Sequence, residues 1–204
     1  IVGNTIPIGV GLGEASLLNN QNQLSCIYFG DGATEEGVFY ESANYAALKN
    51  LPILFVCENN NYSVYSDLSV RQPKNRSISG IATSLGVTSF KANGYNIAES
   101  FSKTNEAINH IREGYGPCLV EFSTHRWLEH CGPNNDDFLN YRDKSISEMW
   151  ESNDPLMQLH AFIQEYLDDG ENVLECIEQS TKALINNAFE FAIKSDFPSH
   201  RTAS

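Results

Sequence analysis

The chain has 204 residues, enough for one domain with a substantial core. Its 13 Lys and Arg stand against 26 Asp and Glu, a formal net charge of −13, and the basic residues form no run, which argues against a nucleic-acid partner. No apolar run approaches a membrane span, no signal peptide is visible, and five cysteines without a Cys-x-x-Cys pair point to a reducing compartment.

The sequence opens at Ile1 in mid-pattern and not at Met, so a piece of a longer protein is expected. Residues 4–20 carry Gly9, Gly11, Gly13, Ala15 and Ser16, a face nearly bare of side chain that suits close helix packing. These glycines follow no strand and lack the spacing of a dinucleotide fingerprint. Residues 24–29 read as a strand, and Gly30-Asp31-Gly32 places one carboxylate at its end between two residues that let a backbone approach a large ligand. From 35 to 49 the apolar residues Phe39, Ala43, Ala46, Ala47 and Leu48 keep helical spacing, and residues 51–57 restart a buried strand. A right-handed crossover makes the two strands parallel, which brings Asp31 and Asn60 to the same sheet edge, where open α/β sheets bind ligands. A carboxylate, an amide oxygen and a nearby backbone carbonyl form an all-oxygen set suited to Mg²⁺ that also holds phosphates.

Residues 63–77 are polar, with Arg71, Lys74 and Arg76 around Pro73, and read as a loop long enough to be functional. A short helix is expected over 78–85, a strand over 87–91, an amphipathic helix over 97–113 stopped by Gly114, and a strand over 118–123 after Gly116-Pro117. This alternation indicates a parallel sheet covered on both faces, with Cys26, Cys57 and Cys118 buried in its strands. Beyond Thr124 the chain reads as loop to about Lys144. Helices are expected over 156–167 and 173–194, separated by the acidic turn Asp168-Asp169-Gly170-Glu171, and the end from Phe197 to His200 is expected to fray.

The run from Gly30 to Tyr62, a Gly-Asp-Gly that ends in Asn-Asn after a helix and a strand, resembles the thiamine diphosphate-binding motif. Its nearest likeness is to the α subunit of the 2-oxoacid dehydrogenase decarboxylating components, of pyruvate, branched-chain and acetoin type. Supporting blocks are Ile1-Val2-Gly3 before Ile6-Pro7-Ile8-Gly9-Val10-Gly11, Asn44-Tyr45-Ala46-Ala47-Leu48 before Leu51-Pro52, Gly116-Pro117, and Asn135-Asp136-Asp137 with Tyr141-Arg142. The likeness runs from the first residue to about Pro155 and more weakly to the end.

The resemblance implies a three-layer α/β/α fold with a mainly parallel sheet, the diphosphate-binding module of the thiamine diphosphate fold. It implies one domain over 1–204, incomplete at its N-terminus, with a helical part over about 155–195. Asp31, Asn60 and the Tyr62 carbonyl are then the expected Mg²⁺ ligands, with Asn59 and Asn61 as the neighbours most easily confused with Asn60. Gly30 belongs to the cofactor loop, and Gly32 and Ala33 are expected to offer N–H groups to the diphosphate at a helix start. Glu35 and Glu36 there would by themselves favour the helix dipole. Val2 is expected beside the aminopyrimidine, or else in the core. Aligning Arg126 with the family's Tyr-Arg places His130 on the active-site histidine, with Arg126 anchoring the loop or the diphosphate. Cys131 stands where mitochondrial members carry a regulatory serine, so control by phosphorylation is not expected there. Leu128, Glu129 and Gly132-Pro133-Asn134 depart from the family pattern and bear on the acceptor and substrate.

The expected activity is decarboxylation of a 2-oxo acid with acyl transfer to a lipoyl carrier, in an α2β2 assembly with a β-type subunit that brings the pyrimidine module. A lipoyl acyltransferase is the further expected partner, in the cytoplasm or, in a eukaryote, the mitochondrial matrix. In family members the small-residue helix near the N-terminus packs at a subunit interface. The alternatives are a thiamine-dependent carboligase or transketolase-like enzyme, and a non-catalytic interaction subunit retaining the fold.

Overall fold

The computed structural model, which describes residues 2–198, is built on a unit of two parallel strands joined by a helix. Strand β1 (Ser25–Gly30) pairs with β2 (Ile53–Asn59) from Ser25 opposite Ile53 to Gly30 opposite Glu58. The intervening helix α2 spans Gly37–Leu48 and buries Phe39, Ser42, Ala43 and Ala46, the face that its 3.6-residue period selects. The other strands of this sheet are β5 (Thr88–Asn93) and β6 (Cys118–Ser123), both parallel to their neighbours, in the order β1-β2-β6-β5. Helices α1 (Thr5–Leu18) and α4 (Ile78–Ser84) join α2 against one face, where Ile6, Val10, Ile78 and Ala82 meet Ile27, Ile53, Phe55 and Leu119. Helix α5 (Ile97–Arg112) covers the other face, with Ala107 and Ile111 on Leu54, Val56, Cys118 and Val120. The fold is α/β with a parallel sheet between two helical layers, as expected.

The glycines of α1 are used inside this domain. A β-carbon on Gly9 would lie 2.4 Å from the Ile27 side chain, and one on Gly13 would lie 2.2 Å from that of Ile53, so the helix can sit this close to β1 and β2 only without side chains there. Gly11 points the other way, with nothing within 4 Å.

Four local expectations change. The 63–77 loop contains a two-stranded hairpin, β3 (Tyr62–Ser63) and β4 (Ser66–Asp67), followed by the one-turn helix α3 (Leu68–Arg71) capped by Asp67. A 3-10 turn, Asp31–Glu35, precedes α2, so Gly32 and Ala33 lie in that turn and the α-helix starts at Gly37. Helix α6 (Lys144–Ser152), capped by Asp143, occupies chain that the pattern left without an element. Cys26 is exposed, because β1 is an edge strand and α5 packs further along the sheet.

The chain separates into two compact units, residues 1–155 and 156–204. The second holds most of α7 (Pro155–Tyr166) and all of α8 (Gly170–Lys194), close to the expected bounds. Phe197 is exposed beyond α8, while the expected fraying of Ser199 and His200, like the placement of Ile1, lies outside the described residues.

Candidate active site

The register of the sheet puts the two motif ends side by side. Gly30 is opposite Glu58, and Asn59 is opposite Ser123, so Asp31 and Asn60 are the first residues past the carboxyl ends of β1 and β2. Asp31 is 1% exposed, the most buried acid of the chain together with Asp136. The Thr34 hydroxyl donates to the Asp31 carbonyl at 2.7 Å and closes the 3-10 turn. The Asp31 carboxylate takes the Arg71 guanidinium, which also binds Glu35, while Gln72 Nε2 donates to the same Glu35 oxygen at 2.8 Å.

Successive Asn side chains turn the chain after β2. Asn59 Oδ1 accepts from the Asn61 N–H at 3.0 Å and Asn60 Oδ1 from the Tyr62 N–H at 2.8 Å, with Asn61 at φ 66°. Asn59 is also tied by Nδ2 to Glu121 Oε1 at 2.9 Å. Glu121, largely buried in β6, accepts as well from the Ser79 hydroxyl at 2.5 Å, so it links the end of β2 to α4. Asn59 is thus bonded through both ends of its amide and Asn60 through its oxygen, which, like that of Asn59, keeps a second lone pair. The hairpin then folds back over Gly32, where a β-carbon would meet Ser63 Oγ at 2.9 Å. A side chain there would have to push Ser63 aside.

Arg126 anchors the loop after β6. Its Nη2 donates to the Val64 carbonyl at 2.9 Å and to Tyr141 Oη at 2.7 Å, and its Nε to the Leu128 carbonyl at 3.0 Å. Val64, a β-branched residue at φ 56°, is held in that strained conformation by this contact. Below it, buried Arg142 donates to Asp136 at 2.7 Å and to Asp137 at 3.0 Å, and Tyr141 Oη donates to Asp136 Oδ2 at 2.7 Å. The Tyr141 ring packs edge-on against Tyr62 and Tyr65, so the loop and the hairpin order each other.

The remaining expected site residues are less engaged. Val2 is 62% exposed, which removes it from the core. Its neighbour Gly3 lies against Glu36 and Val38 at the start of α2. Ala33 is buried in the turn behind Asp31. His130 is exposed and has no hydrogen-bond or ion-pair partner among the described residues.

His125, which sequence reasoning passed over, packs against two tryptophans. It stacks on Trp150 at 5.8 Å between centroids, meets Trp127 edge-on at 5.0 Å, and shares a hydrogen bond with Ser147 at 3.2 Å. Burial lowers its pKa from the ordinary value, helped by Arg142 and Arg126 and opposed by Asp137. His125 lines a cavity of about 840 Å³ at the carboxyl ends of β5 and β6, together with Asn60, Tyr62, Arg76, Lys91 and Trp150. The signal for it lay in Trp127 and Trp150 around a loop of otherwise polar residues. Arg71 and Glu121 were missed too, one in an expected loop and one in the middle of a strand.

Among the described residues no cluster of three or more His, Cys, Asp or Glu could hold a metal ion. The set at this edge is of another kind: one carboxylate, one amide and one carbonyl, which fits a hard cation already bound to phosphate oxygens.

The chain matches the family model described as dehydrogenase E1 component over residues 1–200. The pyruvate dehydrogenase E1 component subunit alpha of Rickettsia bellii is 33% identical over 97% of this chain and 60% of its own length. The 2-oxoisovalerate dehydrogenase subunit alpha of Bacillus subtilis is 28% identical over 97% of this chain and 59% of its own. The chain therefore spans about 60% of the length of the curated relatives it matches. A solved thiamin diphosphate-dependent enzyme chain from Mycobacterium smegmatis matches with a TM-score of 0.48 and 19% identity, over 62% of this chain and 22% of that one. With the Gly-Asp-Gly turn and the Asn run at one sheet edge and a family match over nearly all its residues, the chain belongs to the dehydrogenase E1 component family.

Proposed function

We propose that this chain is the diphosphate-holding part of an E1 α-type subunit that decarboxylates a 2-oxo acid and passes the acyl group to a lipoyl carrier. The observation that carries this reading is the buried Asp31 carboxylate beside Asn60 at the carboxyl edge of β1 and β2. Asp31, the Asn60 amide oxygen and the Tyr62 carbonyl would hold Mg²⁺, and the Gly30–Ala33 turn would offer N–H groups to the diphosphate. Bound there, thiamine diphosphate supplies a carbon nucleophile and an electron sink.

The chain's own residues position and shield. Arg126 fixes the loop after β6 to the hairpin, which covers the diphosphate end and keeps water from it. Val2, which is exposed, would offer its carbonyl to the aminopyrimidine, and the exposed His130 would meet the acyl acceptor. A β-type subunit completes the site with the pyrimidine module in an α2β2 assembly, and a lipoyl acyltransferase receives the acyl group. Names of the relatives support the 2-oxo acid and the α role. No helix among the described residues is long and apolar enough to cross a membrane, and we place the assembly in the cytoplasm or, in a eukaryote, the mitochondrial matrix.

Calorimetric titration of the full-length subunit mixed with its β-type partner tests this. Binding of thiamine diphosphate that requires Mg²⁺ supports the assignment, and the absence of binding with Mg²⁺ present overturns it.

A further inference from the structure

The cation at Asp31 in this structure is Arg71. Its Nη2 engages Asp31 Oδ2, its Nη1 engages Glu35 Oε1, and its Nε donates to the Ser66 carbonyl at 3.0 Å. All three guanidinium nitrogens are committed, and the Arg71 side chain is 11% exposed. The same nitrogen that meets Glu35 would lie 3.8 Å from a β-carbon on Gly32. The guanidinium therefore lies across the turn that receives the diphosphate, and it carries α3 and the hairpin with it. A carboxylate as buried as Asp31 requires a positive partner, and this arginine is that partner.

We propose that Arg71 is a positioning residue that holds the site closed by standing in for the metal, so that a divalent ion and the guanidinium compete for Asp31. The inference rests on the proposed function, because it takes Asp31 as a metal ligand. Two cations on one buried carboxylate repel each other at a few ångströms in a medium much less polar than water. Metal entry consequently loosens the Arg71 contacts and frees α3 and strand β4, while Tyr62 stays at the metal. By reciprocity, whatever weakens the arginine's hold on Asp31 tightens metal binding by the same factor.

Mn²⁺ binding to the full-length subunit in complex with its β-type partner, followed by electron paramagnetic resonance without thiamine diphosphate, tests the competition. Arg71→Ala is expected to bind Mn²⁺ at least about 10-fold more tightly than the native chain. Chymotrypsin is expected to cut the variant faster at Tyr65, beside strand β4, which Arg71 no longer holds. Arg71→Lys keeps the charge but cannot span Asp31, Glu35 and Ser66 together, so it should fall between the two and serves if the alanine variant does not fold. Equal or weaker Mn²⁺ binding by both variants, with the native complex binding Mn²⁺, overturns the competition and leaves the metal site standing. Failure of native and variant complexes alike to bind Mn²⁺, with or without thiamine diphosphate, overturns the site itself.

Discussion

Two ionic clusters stand at the carboxyl edge of the sheet, and they are balanced differently. In one, Asp31 and Glu35 share the single guanidinium of Arg71, which leaves an excess negative charge. In the other, Asp136 and Asp137 face Arg142, with Arg126 at 3.8 Å from Asp136, so two acids meet two bases. The balanced cluster is a strut, since each charge is already satisfied. The unbalanced one keeps a net negative charge, which suits the proposed metal site.

Removing one member of the strut gives the largest expected effect. Arg142→Ala leaves Asp136 buried without its main partner and should cost about 3–5 kcal/mol. Denaturant unfolding of the full-length subunit measures this, and a loss under about 1 kcal/mol would break the comparison. At the other cluster the effect should appear in binding. Asp31→Ala is expected to weaken Mg²⁺-dependent binding of thiamine diphosphate by more than about 100-fold, beyond the loss seen for outer residues of metal sites. Its stability should change less than that of Arg142→Ala, because Arg71 keeps Glu35.

Smaller effects sharpen the contrast. Gly32→Ala sets a methyl against Ser63 Oγ and should cost about 1 kcal/mol as the hairpin shifts, with a matching fall in cofactor affinity. His125 reports on the strut side through pH. Because its folded pKa lies below the ordinary 6.5, the unfolded ring takes up a proton first as pH falls. Its contribution to stability is full above that pH and declines below it. Unfolding midpoints at pH 7.5 and about 5.5 should converge in His125→Gln relative to the native protein, and an unchanged gap would remove the ring from this role.

The legible parts of the molecule are those whose residues act near one another in the chain. The strand at residues 118–123 appears at its expected bounds, and the β1-α2-β2 unit is within two residues of its own. Asp31 and Asn60 could be paired on paper because a strand, one helix and a strand fix their separation. Helix α6 was less visible: Ile146, Met149 and Trp150, which line the cavity, stand among polar residues, and that face matters once Trp150 finds His125 and Tyr95. The hairpin at 62–67 was hidden for a similar reason, since Val64 at its turn is a residue that turn chemistry disfavours and Arg126 holds it from 62 positions away.

The sequence by itself determined the parallel sheet, the four sheet strands with the helices α2, α4 and α5 between them, and the edge at which Asp31 and Asn60 end, because backbone period and crossover geometry are local properties. Tertiary structure decided which cation neutralises each buried acid: Arg71, 40 residues from Asp31, and Arg142 for Asp136. It also turned His125 inward while His130 stayed exposed. Charge pairing and burial depend on distances through space, and a linear spacing carries no record of them until the chain has folded.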